Sequence, residues 1–256
     1  MTKRFFVTGT DTDAGKTLVS AAILAAAKNA GLTAFGLKPV AAGCDTIDGQ
    51  LKNSDALLHQ SFSQPSHDYE VHNPIALQAA IAPHIAARQE GKPLTLSGLL
   101  EACNNSLSQS DADVQLVEGA GGWLVPINNE HTLADLALQL NTSEGAPQLE
   151  VILVVGLRLG CINHAMLSLQ VIQASGLKVA GWVANSLSPA MEVENANMDY
   201  LLQAFAKADV PCLGHVPYFS NLETELAETP LDVKSKAAEQ AAEYINLFSH
   251  WGPGSA

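Results

Sequence analysis

The chain has 256 residues, 47% hydrophobic and 15% charged, which excludes a disordered protein and supplies a substantial core. Its formal charge of −13 argues against nucleic acid or an anionic membrane surface as a partner, because both would repel it. The four cysteines, Cys44, Cys103, Cys161 and Cys212, stand far apart with no C-x-x-C pair, which reads as reduced thiols in a cytoplasmic protein and not as disulfides or zinc ligands.

In chain order, Arg4 to Thr8 is rich in aromatic and β-branched residues and predicts a buried strand. Alanine-rich Leu18 to Asn29 predicts a helix. Between them lies Gly9-Thr10-Asp11-Thr12-Asp13-Ala14-Gly15-Lys16-Thr17. A strand entering a glycine loop and then a helix that opens with Gly-Lys-Thr is a phosphate cradle. Backbone N–H groups and the helix N-terminus face the phosphates, Lys16 reaches the β/γ oxygens, and Thr17 is placed to put its hydroxyl on Mg²⁺. The spacing departs from G-x-x-x-x-G-K-[ST], since Gly9 comes one residue early and Thr10 takes the usual glycine place.

Leu32 to Leu37 predicts the second strand, ending at Lys38-Pro39-Val40-Ala41-Ala42-Gly43. The stretch to Gly49 reads as loop, and Asn53-Ser54-Asp55 as the cap of a helix over Ala56 to Gln60. Ser61 to Tyr69 reads as loop, and Asn73 to Arg88, broken by Pro74 and Pro83, as short helices. Helices are expected over Leu94–Leu107, Thr132–Leu140, Asn163–Ala174, Met191–Ala206 and Lys234–Phe248. Strands are expected over Val114–Val117, Val151–Val155, Lys178–Ala184 and Val210–Val216. The apolar run before Asp11 is too short for a signal peptide, and Val151 to Leu157 is too short to span a bilayer. No linker divides the chain, so residues 1–250 form one domain, with 251–256 expected to be a disordered tail.

This alternation implies an α/β fold: a mostly parallel sheet with helices on both faces. Gly9 to Thr17, Lys38, Glu118, Arg158, Asn185 and Pro217 each follow the carboxyl end of an expected strand, and in an open parallel sheet those ends share the ligand-binding edge. Glu118, ahead of Gly119-Ala120-Gly121-Gly122, is the expected acidic partner of Mg²⁺. Asp55 is a second candidate, though Asn-Ser-Asp before a helix also serves as a plain cap. Lys38 ends the strand expected to neighbour the first, which would bring its ammonium near a γ-phosphate; an ordinary surface lysine is the alternative. Gly160-Cys161-Ile162-Asn163 opens a helix whose free N–H groups can take an anion. The eight histidines show no metal spacing, His84 and His164 read as structural, and no G-x-S-x-G elbow occurs. The chemistry indicated is Mg²⁺- and lysine-assisted phosphoryl transfer.

Together these motifs resemble the dethiobiotin synthetase family. The matching pieces are Val7 to Thr17, Lys38-Pro39-Val40-Ala41, Asn53-Ser54-Asp55, Val117 to Gly122, Val154 to His164 and Gly181-Trp182-Val183-Ala184-Asn185. They span most of the chain in the family's order. The phosphate loop is common to many ATPases, whereas Gly160-Cys161-Ile162-Asn163-His164 combined with Lys38-Pro39-Val40 is far more specific.

The resemblance implies a P-loop domain that dimerises, with ATP in the loop Thr12, Asp13, Ala14, Gly15, Lys16 and Thr17, flanked by Gly119, Ala120 and Gly121. Thr17, Asp55 and Glu118 would arrange Mg²⁺. Asn185 and Pro217-Tyr218-Phe219 would hold the adenine, while Ser186 and Glu223 would reach the nucleotide. Lys38 would be the active-site lysine, Ala42 would lie on the substrate side, and Gly160 to Asn163 would bind substrate from across the dimer. The implied reaction carboxylates 7,8-diaminopelargonic acid with CO₂ to a carbamate, activates it as a carbamic–phosphoric anhydride, and closes the ring. Three positions depart from the family's usual residues: Asp13 for Glu, Ala42 for Ser and Arg158 for Lys.

Two other readings are open. A partition-type ATPase switch usually carries a second lysine early in its phosphate loop, and Gly9 to Ala14 has none. A cobyrinic-acid-type synthetase needs a glutaminase domain, for which no length remains after the ATPase portion.

Overall fold

The computed structural model describes residues 2–143, 145–189, 191–220 and 230–247. Glu223, Phe248 and the tail 251–256 lie outside the described residues; the last helix, expected over Lys234–Phe248, starts earlier and ends sooner, running over Pro230–Ala242. The main sheet has six strands in the order β10-β9-β8-β1-β7-β2. They are β1 (Lys3–Gly9), β2 (Ala34–Leu37), β7 (Val114–Gly122), β8 (Leu149–Leu157), β9 (Val179–Ser186) and β10 (Cys212–Val216). Every pairing among them is parallel. Alternation along β1 divides the core. Phe5 and Val7 face α1 (Lys16–Asn29), α2 (Ser54–Phe62) and α9 (Pro230–Ala242), while Phe6 faces the other layer. That second layer holds α4 (Pro83–Gln89), α5 (Leu96–Leu107), α6 (Leu133–Thr142), α7 (Cys161–Ala174) and α8 (Glu194–Lys207). The expected fold class is therefore correct. No helix among the described residues is long and apolar enough to cross a membrane.

Helix α1 is buried almost without interruption from Val19 to Ala27, since its small side chains let sheet and helices close on it from all sides. Gly31, in the left-handed region at φ 76, ends it, and the Leu32 N–H returns to the Ala27 carbonyl. That closure takes Leu32 out of the expected second strand, which starts at Ala34.

One topological expectation fails. β2 does not neighbour β1; β7 lies between them, paired to each. The crossover through α1 sets β2 two places out, and the later strand fills the gap. Lys38 consequently meets the strand that carries Glu118.

The remaining differences are local. Glu118 to Gly122 continue strand β7, and Asn185 lies within β9. The expected loop before Gly49 contains a hairpin, β4 (Asp45–Ile47) with β5 (Gln50–Lys52), turned by Asp48-Gly49 with both φ angles positive. Asp-Gly is the usual sequence of such a turn, so that signal was present. Residues 73–88 hold one helix, α4, which has proline in its first turn, and a two-residue strand, β6 (Ile75–Ala76), paired with β3 (Val40–Ala41). Helix α3 (Tyr69–His72) follows the expected loop, and α7 starts at Cys161, two residues early, because Gly160 at φ 94 serves as its N-cap.

Candidate active site

At the carboxyl edge of the sheet a cavity of about 520 Å³ is lined by Thr12, Lys16, Thr17, Lys38, Ala42, Asp55, Glu118, Ala120 and Gly121, among others. Strand ends, the phosphate loop and the first turn of α2 thus converge as the motifs indicated. Gly15 must be glycine: its φ is +86, and a Cβ there would lie 2.0 Å from Asn185 Nδ2. Asn185 Nδ2 donates to the Ala14 carbonyl at 3.1 Å, tying β9 to the loop. Its Oδ1 is buried with no hydrogen-bond partner, which fits an amino-group donor such as that of adenine.

Lys38 is 5% exposed, so the surface-lysine reading is wrong. Its Nζ donates to Glu118 Oε1 at 2.6 Å and to Asp55 Oδ2 at 3.3 Å. Burial alone would lower its pKa, but the Glu118 and Asp55 carboxylates outweigh burial and hold it above the usual lysine value. Glu118 is fully buried. Burial favours its neutral form, yet the Lys38 ammonium and the His59 hydrogen bond hold it far below the usual carboxylate range. Thr17 Oγ1 donates to the same Oε1 at 3.0 Å.

Asn53 caps α2, its side chain accepting from the Asp55 N–H at 2.9 Å. The cap role belongs to Asn53, and Asp55 is free to face Lys38. The Asn53 N–H donates to Tyr69 Oη, which donates to Asn73 Oδ1, and Asn73 Nδ2 donates to the Lys38 carbonyl. This chain of bonds fixes the Lys38 backbone against the start of α2. Burial pushes the Tyr69 hydroxyl up to about 12, which keeps it a donor.

Thr17, Glu118 and Asp55 line the same cavity with hard oxygen donors, a set that fits Mg²⁺, which takes one or two carboxylates and fills its shell with water and phosphate oxygens. No group of three or more His, Cys, Asp or Glu suited to a metal occurs among the described residues. Lys16 Nζ donates to the Asp11 and Thr12 carbonyls at 2.9 and 3.1 Å. Burial first, and then the Lys38 ammonium, lower its pKa to about 8 from 10.5.

The Lys16 value has a measurable consequence. A bound polyphosphate raises the pKa again, so Lys16 is already protonated below pH 8 and takes up a proton on binding above it. ADP affinity should therefore weaken as pH rises past about 8. Calorimetry in buffers of different ionisation enthalpy should find little proton uptake at pH 7 and an approach to one proton at pH 9. The absence of uptake at pH 9 would refute this role for Lys16.

Other expected residues lie elsewhere. Gly160, Cys161, Ile162 and Asn163 do not line the cavity; they open α7 beside Leu159, which is 95% exposed. Arg158 pairs with Asp11 of the phosphate loop, so its charge faces that loop. Ser186 is engaged with His215 and Glu194. Pro217, Tyr218 and Phe219 follow β10 outside the cavity wall, with the Phe219 ring 6.2 Å from that of Tyr244. His59, Tyr69, Asn73 and Lys234 escaped the sequence reading; Lys234 Nζ donates to Ser54 Oγ at 2.7 Å and lies 3.7 Å from Asp55 Oδ1.

A family model described as an AAA domain matches residues 3–225. The chain is 52% identical to the ATP-dependent dethiobiotin synthetase BioD of Cellvibrio japonicus over 231 residues, covering 90% of this chain and 96% of that protein. It is 45% identical to ATP-dependent dethiobiotin synthetase BioD 1 of Escherichia coli over 249 residues, covering 96% and 99%. Among solved structures, a ParA family ATPase from Chlorobium tepidum matches with a TM-score of 0.55 at 12% identity, covering 96% of this chain and all of that one. The cell division ATPase MinD of Pyrococcus furiosus matches with a TM-score of 0.51 at 15% identity, covering 95% and 99%. At such identities these two likenesses show the P-loop NTPase fold alone.

Proposed function

We propose a reaction from one premise: this chain belongs to the ATP-dependent dethiobiotin synthetase family. It is an ATP-dependent ligase of biotin biosynthesis. The finer reading is that it carboxylates 7,8-diaminopelargonic acid with CO₂ and closes the product to dethiobiotin. The observation that carries it is the buried Lys38 between Glu118 and Asp55, beside the phosphate loop.

In this reading Lys16 and the loop N–H groups bind the β- and γ-phosphates, and Asn185 Oδ1 accepts from the adenine amino group. Thr17, Glu118 and Asp55 hold Mg²⁺, which when bound would offset charge on the transferred phosphoryl group. One amine of the diamine adds to CO₂. The carbamate oxygen then attacks the γ-phosphate, releasing ADP, and the second amine displaces phosphate from the mixed anhydride to close the ring. Such a sequence needs alignment and charge neutralisation, not a protein nucleophile. Lys38, fixed at side chain and backbone, supplies a positive charge where carbamate and phosphate meet.

The partition-type switch is not favoured, since near-half identity over nearly the whole length lies with the synthetases and only the fold is shared with the ATPases named above. ADP release should require the diamine, CO₂ and Mg²⁺ together. Rapid hydrolysis without the diamine, or stimulation by DNA, would overturn the reading.

Ala42 lies on the cavity wall, where the family usually has serine. Ala42→Ser should add one hydrogen bond to the substrate, worth about 1 kcal/mol or roughly fivefold in the diamine KM, with kcat unchanged. A large loss of kcat would show that the wall is packed around the methyl group. We further propose that the enzyme is a cytoplasmic homodimer and that the start of α7 serves the partner's cavity. That these residues do not line the cavity of their own chain supports that arrangement.

A further inference from the structure

We propose that His59 is a positioning residue that fixes the orientation of the Glu118 carboxylate, so that a single oxygen, Oε1, is presented to Thr17, Lys38 and the divalent ion; this rests on the reading of Glu118 as a Mg²⁺ ligand. The geometry is one-sided. Oε1 receives Thr17 Oγ1 at 3.0 Å and Lys38 Nζ at 2.6 Å. Oε2 points the other way, and His59 Nε2 stands 2.8 Å from it. A carboxylate only accepts, so Nε2 carries the proton and donates. The terminal torsion of a glutamate is broad and nearly two-fold. Without a donor, Oε2 is left buried and unpaired unless the group turns and divides Thr17 and Lys38 between its two oxygens.

The position of His59 is itself determined. It follows Asp55 by four residues on α2, so both side chains leave the same helix face. One helix therefore sets the acidic partner in front of Lys38 and the histidine behind Glu118. The ring is fully buried, and its Nδ1 has no hydrogen-bond partner. Room for the ring depends on Gly36 of β2, where a Cβ would lie 2.6 Å from Nδ1. His59 does not line the cavity; it acts through Glu118 and touches no reacting atom. Outer partners of metal ligands typically change metal affinity or activity by about 10–100-fold when removed.

The test compares the parent with His59→Gln and His59→Leu. The glutamine amide can donate from nearly the place of Nε2, whereas leucine fills the space without a donor. Mn²⁺ binding in the presence of ADP, followed by electron paramagnetic resonance, should weaken about 10–100-fold in His59→Leu and remain near the parent's in His59→Gln. Metal-free ADP binding should be equal in all three, and kcat should follow Mn²⁺ affinity. Equal Mn²⁺ affinities in all three, or a glutamine variant as poor as the leucine one, would overturn the proposal and leave His59 a packing residue. Mn²⁺ binding involves no diamine. A parent that binds Mn²⁺ with ADP but does not consume the diamine would sink the reaction while leaving this inference standing. A parent that binds no Mn²⁺ with ADP would sink the inference. Should His59→Leu not fold, histidine ring ¹⁵N spectra of the parent decide. A signal lost in His59→Gln should report a proton on Nε2, and a proton on Nδ1 alone overturns the assignment.

Discussion

Lys38→Gln is expected to lower the single-turnover rate of ring closure by about 10²–10³-fold, the usual cost of one charge-stabilising donor in a preorganised site. The same substitution removes the cation that compensates Glu118, which is fully buried. Breaking a buried pair from one side typically costs about 3–5 kcal/mol, so the variant should also melt earlier. The two effects separate in a double-mutant cycle with Glu118→Gln. Two neutral amides facing each other leave no uncompensated charge, because Asp55 keeps partial access to water and a second cation, Lys234, at 3.7 Å. Stability should recover substantially in the double variant while chemistry stays lost. Recovery of both would mean that the Lys38–Glu118 pair only holds the site together and that neither group serves the chemistry. Normal single-turnover chemistry in Lys38→Gln, with collapsed nucleotide affinity, would reassign it to ATP binding.

The limits of the sequence reading follow from what kind of information each residue carries. Lys16, Thr17, Glu118 and Asn185 were legible because chain direction alone brings them together: each stands at or near the carboxyl end of a parallel strand, and those ends share an edge. Lys38 does line the cavity beside the phosphate loop, but by another route than the expected one. It was expected beside β1, but β7 intervenes, and that intervention makes the Lys38–Glu118 contact possible. Strand order depends on which crossover leaves a gap, a matter of packing between elements far apart in sequence. His59 was illegible for a related cause. Its partner lies 59 residues away, no motif joins the two, and the clue, a glycine at position 36, reads in isolation as an ordinary strand residue. Tyr69 and Asn73 act through backbone groups, and such contacts leave little trace in residue type. The Asp48-Gly49 hairpin was missed although its signal was plain.

Fold and chemistry also part company in an instructive way. Nearly all of the chain overlays a ParA family ATPase and the cell division ATPase MinD, so the sheet and the loop specify the fold and not the reaction. In the proposed reaction, the residues that would distinguish a ligase lie off the phosphate loop: Lys38 after β2, Asp55 in the first turn of α2, and the start of α7. In the phosphate loop the discriminating feature is the lack of an early second lysine between Gly9 and Ala14. Function resides in what the strand ends carry.

The start of α7 sets up the remaining large effect. The diamine of the proposed reaction bears a carboxylate, an anion in a chain of formal charge −13, and it would need a dedicated dock. Gly160 at φ 94 caps α7 without a side-chain hydrogen bond, and Asn163 is exposed in the first turn, where N–H groups can meet an anion. None of these residues lines the cavity that holds Lys38, so in a two-fold dimer each dock would serve the neighbouring subunit. Lys38→Gln and a blocking Asn163→Trp should each be inactive alone. Unfolded and refolded together, random pairing makes half of the dimers mixed. If sites are shared between subunits, each mixed dimer has one site with both lesions and one with neither, and the mixture regains about a quarter of parental activity. If each chain keeps its own lysine and dock, every site carries a lesion and the mixture stays dead. Heterodimers verified by differential tagging make a dead mixture decisive against the shared site, and a quarter of activity cannot arise any other way from two inactive chains.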